Sequence, residues 1–154
     1  MNTIFTPQNL EIFGQLFLAV VLGALIGTER EIRGRLAGVK THALVCLGSC
    51  LFTVLSVVGF RDFVFAADPS RIASQIVVGI GFLGAGLIIF DQSRIKGLTT
   101  AAGIWTTAAI GMTVGLQFYF VALFAALLVL VIYTLLYYFE AFLDRFRDKH
   151  KRNS

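Results

Sequence analysis

Apolar residues fall along this chain in long blocks separated by short polar segments. Windows free of Asp, Glu, Lys and Arg cover about 12–27, 43–60 and 72–90, and a fourth charge-free run extends from Gly97 to Phe139. A helix crossing the hydrocarbon core of a bilayer needs roughly 17–25 apolar residues, so the first span is drawn back to about 10–27. The last run, 43 residues long, would reach about 64 Å as one helix, twice the roughly 30 Å core. It must fold back, and Gly115-Leu116-Gln117 is the natural break, giving spans over 98–115 and 118–139. The pattern predicts an all-α integral membrane protein with five transmembrane helices over residues 1–139. Residues 140–154 read as a basic tail in which Phe139, Phe142, Leu143 and Phe146 recur at helical spacing beside Glu140, Asp144 and Asp148, an amphipathic continuation lying near the membrane surface.

Charge gives this pattern a direction. Of the Lys and Arg residues outside the spans, eleven fall on one set of alternate segments (Arg30, Arg33, Arg35 and Lys40; Arg94 and Lys96; five in the tail) and two, Arg61 and Arg71, on the other. Cytoplasmic loops carry the excess of Lys and Arg, so the N-terminus is expected outside and the C-terminus in the cytoplasm. The segment MNTIFTPQNL has no basic residue, unlike the start of a signal peptide, and the first apolar block is expected to stay as a span. Composition agrees: 57% of residues are hydrophobic and 14% charged, against roughly 45–50% and 25% in soluble domains. The net charge of +4 is then a mark of topology and not of nucleic-acid binding.

The spans differ in kind. Span five has no glycine and carries Tyr119 near one interface and Tyr137 and Tyr138 near the other, as expected of a lipid-facing helix with aromatic anchors. Gly23-x-x-x-Gly27 and Gly111-x-x-x-Gly115 are small-xxx-small motifs that let helix backbones approach closely, and they predict a homo-oligomer (dimer or higher). Span two carries Cys46, Ser49, Cys50, Thr53 and Ser56 as a polar stripe; span four carries Thr100, Gly103, Thr107, Gly111 and Gly115 at similar spacing. Cys46 and Cys50 read as small packing residues, since i, i+4 on one helix is poor disulfide geometry. Trp105, about two turns into span four, reads as an interhelical wedge.

Candidate chemistry gathers on the basic side. Glu29, Arg30, Arg33, Lys40, Thr41 and His42 join spans one and two; Asp91, Arg94, Lys96, Thr99 and Thr100 join spans three and four. Thr41 and Thr99 or Thr100 are candidate caps for the helices that start there. Two readings of the cluster stand: a salt-bridge network locking the loops, or a surface that binds an ion or a protein. His42 reads as a helix-end hydrogen-bonder. No acidic or basic residue lies at hydrocarbon depth by this reading, which counts against a dedicated Mg²⁺ or proton path. No cofactor site and no Ser-His-Asp or Cys-His constellation is present, so an enzyme is not expected, and a metal site is left undefined. GIGFLGAG, with Gly79, Gly81, Gly84 and Gly86, has the spacing of a dinucleotide loop. It lies inside a charge-free span with no acid about 20 residues on, so the glycines serve to make the helix thin.

Three stretches, GTEREIRGRLAGVKTHALVCLGSCLF, DPSRIASQIVVGIGFLGAGLII and GLTTAAGIWTTAAIG, resemble in order and spacing the conserved membrane domain of the MgtC/SapB family, over about Leu22 to Gly115. The resemblance covers Glu29, Arg30, Gly38, Thr41 and Cys46, then Arg71, Gly79, Gly81, Phe82, Gly84, Ala85 and Gly86. In the last stretch it covers Asp91, Gly97, Leu98, Thr99, Thr100, Ala101, Ala102 and Trp105. It implies a multi-pass protein of the bacterial inner membrane, about five spans, linked to adaptation to magnesium limitation and, in some pathogens, to virulence. It further implies a modulator acting through other membrane proteins or on ion homeostasis; a magnesium transporter or channel subunit is the alternative. Two departures stand out. Many family members carry a C-terminal cytosolic domain not found here, and Leu87 follows Gly86 where relatives often have a small or polar residue such as Thr.

Overall fold

The computed structural model describes residues 6–59, 68, 70–91 and 94–152, with side chains as far as residue 138. Among them are five helices, α1 (Pro7–Ile32), α2 (Val39–Val58), α3 (Ser70–Gly86), α4 (Leu98–Gly115) and α5 (Tyr119–Arg152), and two short strands, β1 (Ile89–Asp91) and β2 (Arg94–Lys96). The first, second and fifth helices are long and apolar enough to cross a membrane; α3 is apolar but shorter. In α4 threonines and glycines dilute the apolar content.

Local sequence explains the helix boundaries. Thr6 accepts a hydrogen bond from Asn9 N and Pro7 opens α1, where a missing N–H costs nothing. The helix passes the end of its apolar window and stops only at Ile32, closed by Arg35 N to Arg30 O and Gly34 N to Glu31 O with Gly34 at φ +62°. The same paired closure ends α4, through Phe118 N to Thr113 O and Gln117 N to Val114 O, and there Gln117 takes the left-handed conformation at φ +67°. The fold-back therefore falls in the segment expected for it. Thr41 and Thr99 are not caps. The N-terminus of α2 is capped from outside by Glu31, whose Oε2 accepts from Val39 N at 2.8 Å, and α4 starts at Gly97 with no side-chain cap. Gly97 holds φ +91° with its α-carbon pressed against Leu87, whose carbonyl oxygen would lie 1.9 Å from an added Cβ.

Helix α2 lies between α1 and α4, and glycine makes both contacts possible. A Cβ on Gly23 would lie 2.5 Å from His42 O, and one on Gly27 2.6 Å from Val39 Cα. A Cβ on Gly111 would lie 2.2 Å from Cys46 O, and one on Gly115 2.8 Å from Cys50 O. Both GxxxG faces thus close on α2 of the same chain, where an interface between copies was expected. The buried stripe of α2 (Cys46, Ser49, Cys50, Thr53 and Ser56) meets them. The main core runs from Ala19, Leu22 and Ile26 through Cys46, Cys50 and Val54 to Ile110 and Val114, and on to α5.

Further expectations change. Helix α5 buries Ala122, Ala126, Val129 and Tyr133 against that core, so one stripe of it is interior and only the rest faces outward. Trp105 is 51% exposed; it sits on the outer face of α4 and wedges nothing. Helix α3 is peripheral, buries only Ile76, Ile80 and Gly84, and packs chiefly on α4. Of its glycines, Gly84 touches Ala101 while Gly79, Gly81 and Gly86 face open space. The connection from α3 to α4, expected as a loop, pairs β1 with β2 antiparallel, Phe90 opposite Ile95.

Candidate functional site

The predicted basic-side cluster separates into two groups. Asp91, Arg94 and Lys96 belong to the exposed hairpin, where Lys96 Nζ meets Asp91 Oδ2 at 2.5 Å. Lys40, Thr41 and Thr99 lie on exposed faces. The remaining residues, Glu29, Arg30, Arg33, His42 and Thr100, come together at the bundle interior from α1, α2 and α4.

Arg30 is the centre of that interior group. It occupies the last turn of α1, where helical spacing from Gly23 and Gly27 carries it onto the face that packs inward, and it is 3% exposed. Its guanidinium lies 4.1 Å from the centroid of the Tyr133 ring, donates to Thr100 Oγ1 at 3.4 Å, and stands 3.9 Å from Glu29 Oε2. A buried charge needs partners, and here an aromatic face, a hydroxyl and a carboxylate supply them. One turn further out Arg33 repeats the arrangement: its Nε pairs with Glu29 Oε1 and its guanidinium lies 3.9 Å from the centroid of Tyr137. Arg30 and Arg33 on α1 thus stack on Tyr133 and Tyr137 on α5, two rungs that pin the helices together.

His42 is fully buried on α2, with Nδ1 2.8 Å from Thr107 Oγ1. The Thr107 hydroxyl proton goes to Gly103 O, also 2.8 Å away, so its oxygen accepts from His42 Nδ1–H. That fixes the tautomer of the neutral ring and leaves Nε2 as an acceptor. Neither Nε2 nor the Tyr133 hydroxyl has a hydrogen-bond partner among the described residues. Both lie by Gly103, whose hollow receives the hydroxyl: an added Cβ would stand 1.8 Å from Tyr133 Oη and 3.7 Å from His42 Cε1.

Arg30, His42, Thr100 and Thr107 thus form a buried polar centre with Tyr133, which belongs to a span expected to face lipid only. Its signal was present: Ala122, Ala126, Val129 and Tyr133 follow helical spacing with small residues in two positions. Among the described residues no group of His, Cys, Asp and Glu is placed to hold a metal. Cys46 and Cys50 are buried free thiols.

Comparison with known proteins identifies a family. The family model described as MgtC family matches residues 16–142, and the chain belongs to that family. It is 45% identical over 122 residues to the protein YhiD of Escherichia coli (strain K12), whose name calls it a candidate magnesium transporter; the match covers 77% of this chain and 57% of YhiD. It is 46% identical over 115 residues to Protein MgtC of Salmonella typhimurium (strain LT2), covering 75% of this chain and 48% of that one. An uncharacterized protein of Haemophilus influenzae is 41% identical over 137 residues, 85% of this chain and 58% of that one. The chain thus spans about half the length of the curated relatives it matches. No solved structure gives a significant match.

Proposed function

We propose that this chain is a five-span protein of the bacterial inner membrane, basic end in the cytoplasm, that modulates other membrane proteins during magnesium limitation. The observation that carries the reading is the buried Arg30. A divalent cation crossing the middle of the bundle would meet a guanidinium that is 3% exposed, with its one nearby carboxylate already shared with Arg33. At the low effective dielectric of an interior, like charges a few ångströms apart repel by several kcal/mol. The bundle core is built to exclude such an ion.

Contact with a partner is assigned to α3. With both GxxxG faces closed inside the chain, the open glycines of α3 (Gly79, Gly81 and Gly86) and the 80%-exposed Phe82 are the small-and-aromatic surface left for another membrane helix. Exposed apolar side chains elsewhere, Phe17, Phe120 and Leu135 among them at 65–88%, suit a lipid environment.

Magnesium transport, the activity in the name of the E. coli relative, is the second reading, and it would need a path between copies and outside the bundle core. A photo-crosslinking residue at Phe82, used in membranes of magnesium-starved cells, is expected to capture a membrane protein, with none captured from Leu135 on α5. Mg²⁺ flux into liposomes that depends on the purified protein, with no α3 crosslink in cells, would replace modulation by transport.

A further inference from the structure

A cleft of about 620 Å³ opens between α1 and α5 at the basic end. Its walls are Leu25 and Ile32, 53% and 80% exposed, and Tyr138 at its rim is 67% exposed, so it opens sideways out of the bundle. Thr28 and Glu29 form the floor, with Arg33 and Tyr137 beside them. In a membrane-embedded chain a lateral opening at this level meets lipid at the border of headgroup and hydrocarbon.

The polar groups of the cleft specify what fills it. Glu29 faces both Arg33 and Arg30, the latter buried behind the cleft, which leaves one net positive charge on these three among the described residues. Arg33 lays its flat guanidinium face on the Tyr137 ring and its Nε on Glu29; its terminal amino groups make no hydrogen bond to another described residue and present the flat fork that suits a phosphate. The floor has the opposite need. Thr28 donates its proton to Ala24 O at 2.7 Å, so its oxygen can only accept, and Glu29 Oε2 is buried with no hydrogen-bond donor among the described residues. A ligand matching both has one phosphodiester charge for Arg33 and hydroxyl donors for Thr28 and Glu29. A choline headgroup has no such donor, and an ethanolamine headgroup leaves the net positive charge uncancelled. We propose that this cleft binds one anionic phospholipid with a hydroxyl-bearing headgroup, of the phosphatidylglycerol class, with Leu25 and Ile32 against its chains.

The inference rests on the membrane-embedded reading, which alkaline carbonate extraction tests by itself. For the cleft, the full-length protein in mild detergent is titrated with phosphatidylglycerol, phosphatidylethanolamine and phosphatidylcholine, with retained lipid read by native mass spectrometry. Phosphatidylglycerol is expected to be held about tenfold more tightly than either other lipid, the size of one charge-assisted hydrogen bond. Arg33→Gln and, independently, Thr28→Leu at an exposed floor position are expected to remove that preference, while Arg94→Gln in the exposed hairpin keeps it. Water-soluble glycerol phosphate is expected not to compete; competition would reassign the site to a free phosphate ester and overturn the lipid. Equal retention of the three lipids, or a preference unchanged in both cleft variants, overturns the proposal outright.

Discussion

Replacing Gly111 by alanine places a methyl carbon 2.2 Å from Cys46 O, 2.9 Å from Cys46 C and 3.1 Å from Cys46 Cα. All three are backbone atoms of α2, so no side-chain rotation relieves the contact. Restoring ordinary separation requires moving α4 and α2 apart by about 1 Å, and α2 cannot retreat because Gly23 and Gly27 hold it against α1. Overpacking of this kind costs typically ~1–3 kcal/mol, and with backbone on both sides the upper end applies. Alanine returns ~1 kcal/mol through its better helix propensity, leaving a net loss of about 2 kcal/mol. Gly79→Ala is the matched control: the same propensity gain, and nothing within 4 Å of the added carbon. In thermal unfolding followed by circular dichroism in one detergent, Gly111→Ala is expected to melt roughly 6 °C below the parent, at about 3 °C per kcal/mol for a chain of this size. Gly79→Ala should match the parent or exceed it by a few degrees. A Gly111→Ala protein as stable as the parent would sink the account of α2 as a helix held by backbone contact on two sides.

Three other outcomes are expected. Gly103→Ala should destabilise the protein by driving a methyl into the Tyr133 hydroxyl, and Tyr133→Phe in the same chain should restore part of the loss; a double-mutant cycle with coupling below about 0.5 kcal/mol would show the two not to be in contact. Arg30→Lys keeps the charge but gives up the flat face on Tyr133 and the reach to Thr100, so a loss of ~1–2 kcal/mol is expected in the same melting assay, and full recovery by Lys would mean that charge alone matters. Asp68 accepts from Ser70 N at 2.9 Å at the start of α3, and the side-chain and backbone hydrogen bonds from Ser70 hold its carboxyl below the usual carboxylate range. Because the folded value is the lower one, the stabilisation is present above the ordinary Asp value and is lost as pH falls through the depressed one. Amide protection at the first turn of α3, taken relative to the intrinsic exchange rate at each pH, should fall there in the parent and not in Asp68→Asn.

The helix count and the turn at 115–117 were legible because length decides them: a 43-residue charge-free run exceeds any bilayer. The reach of α1 was not, because a charge-free window ends just before Glu29, while Glu29 and Arg30 continue the helix to its cap at Arg33 once Tyr133 and Tyr137 are there to receive the arginines. Such a partner, over a hundred residues away, is invisible to local periodicity. The GxxxG motifs announced close helix contact correctly and could not say with which helix; both choose α2. Trp105 misled in the other direction, since depth along a helix does not fix its rotation. Of the predicted site residues, Arg30, His42 and Thr100 share the interior with Glu29 and Arg33 at its edge. The hairpin residues stay apart, since three-residue strands leave no pattern to read.

Helix α5 continues without a break from Tyr119 to Arg152, and its two stacked tyrosines sit well short of its end. Beyond Tyr137 the remaining fifteen residues form a rod of about 22 Å. Pinned at Tyr133 and Tyr137 and stiff beyond them, α5 has the mechanics of a lever with its fulcrum at the Arg30 and Arg33 rungs. A tilt of roughly 10° at the fulcrum sweeps the tip of such a rod by about 4 Å. Any change in how those guanidiniums seat would therefore move the far end of the rod several times further than the rungs themselves.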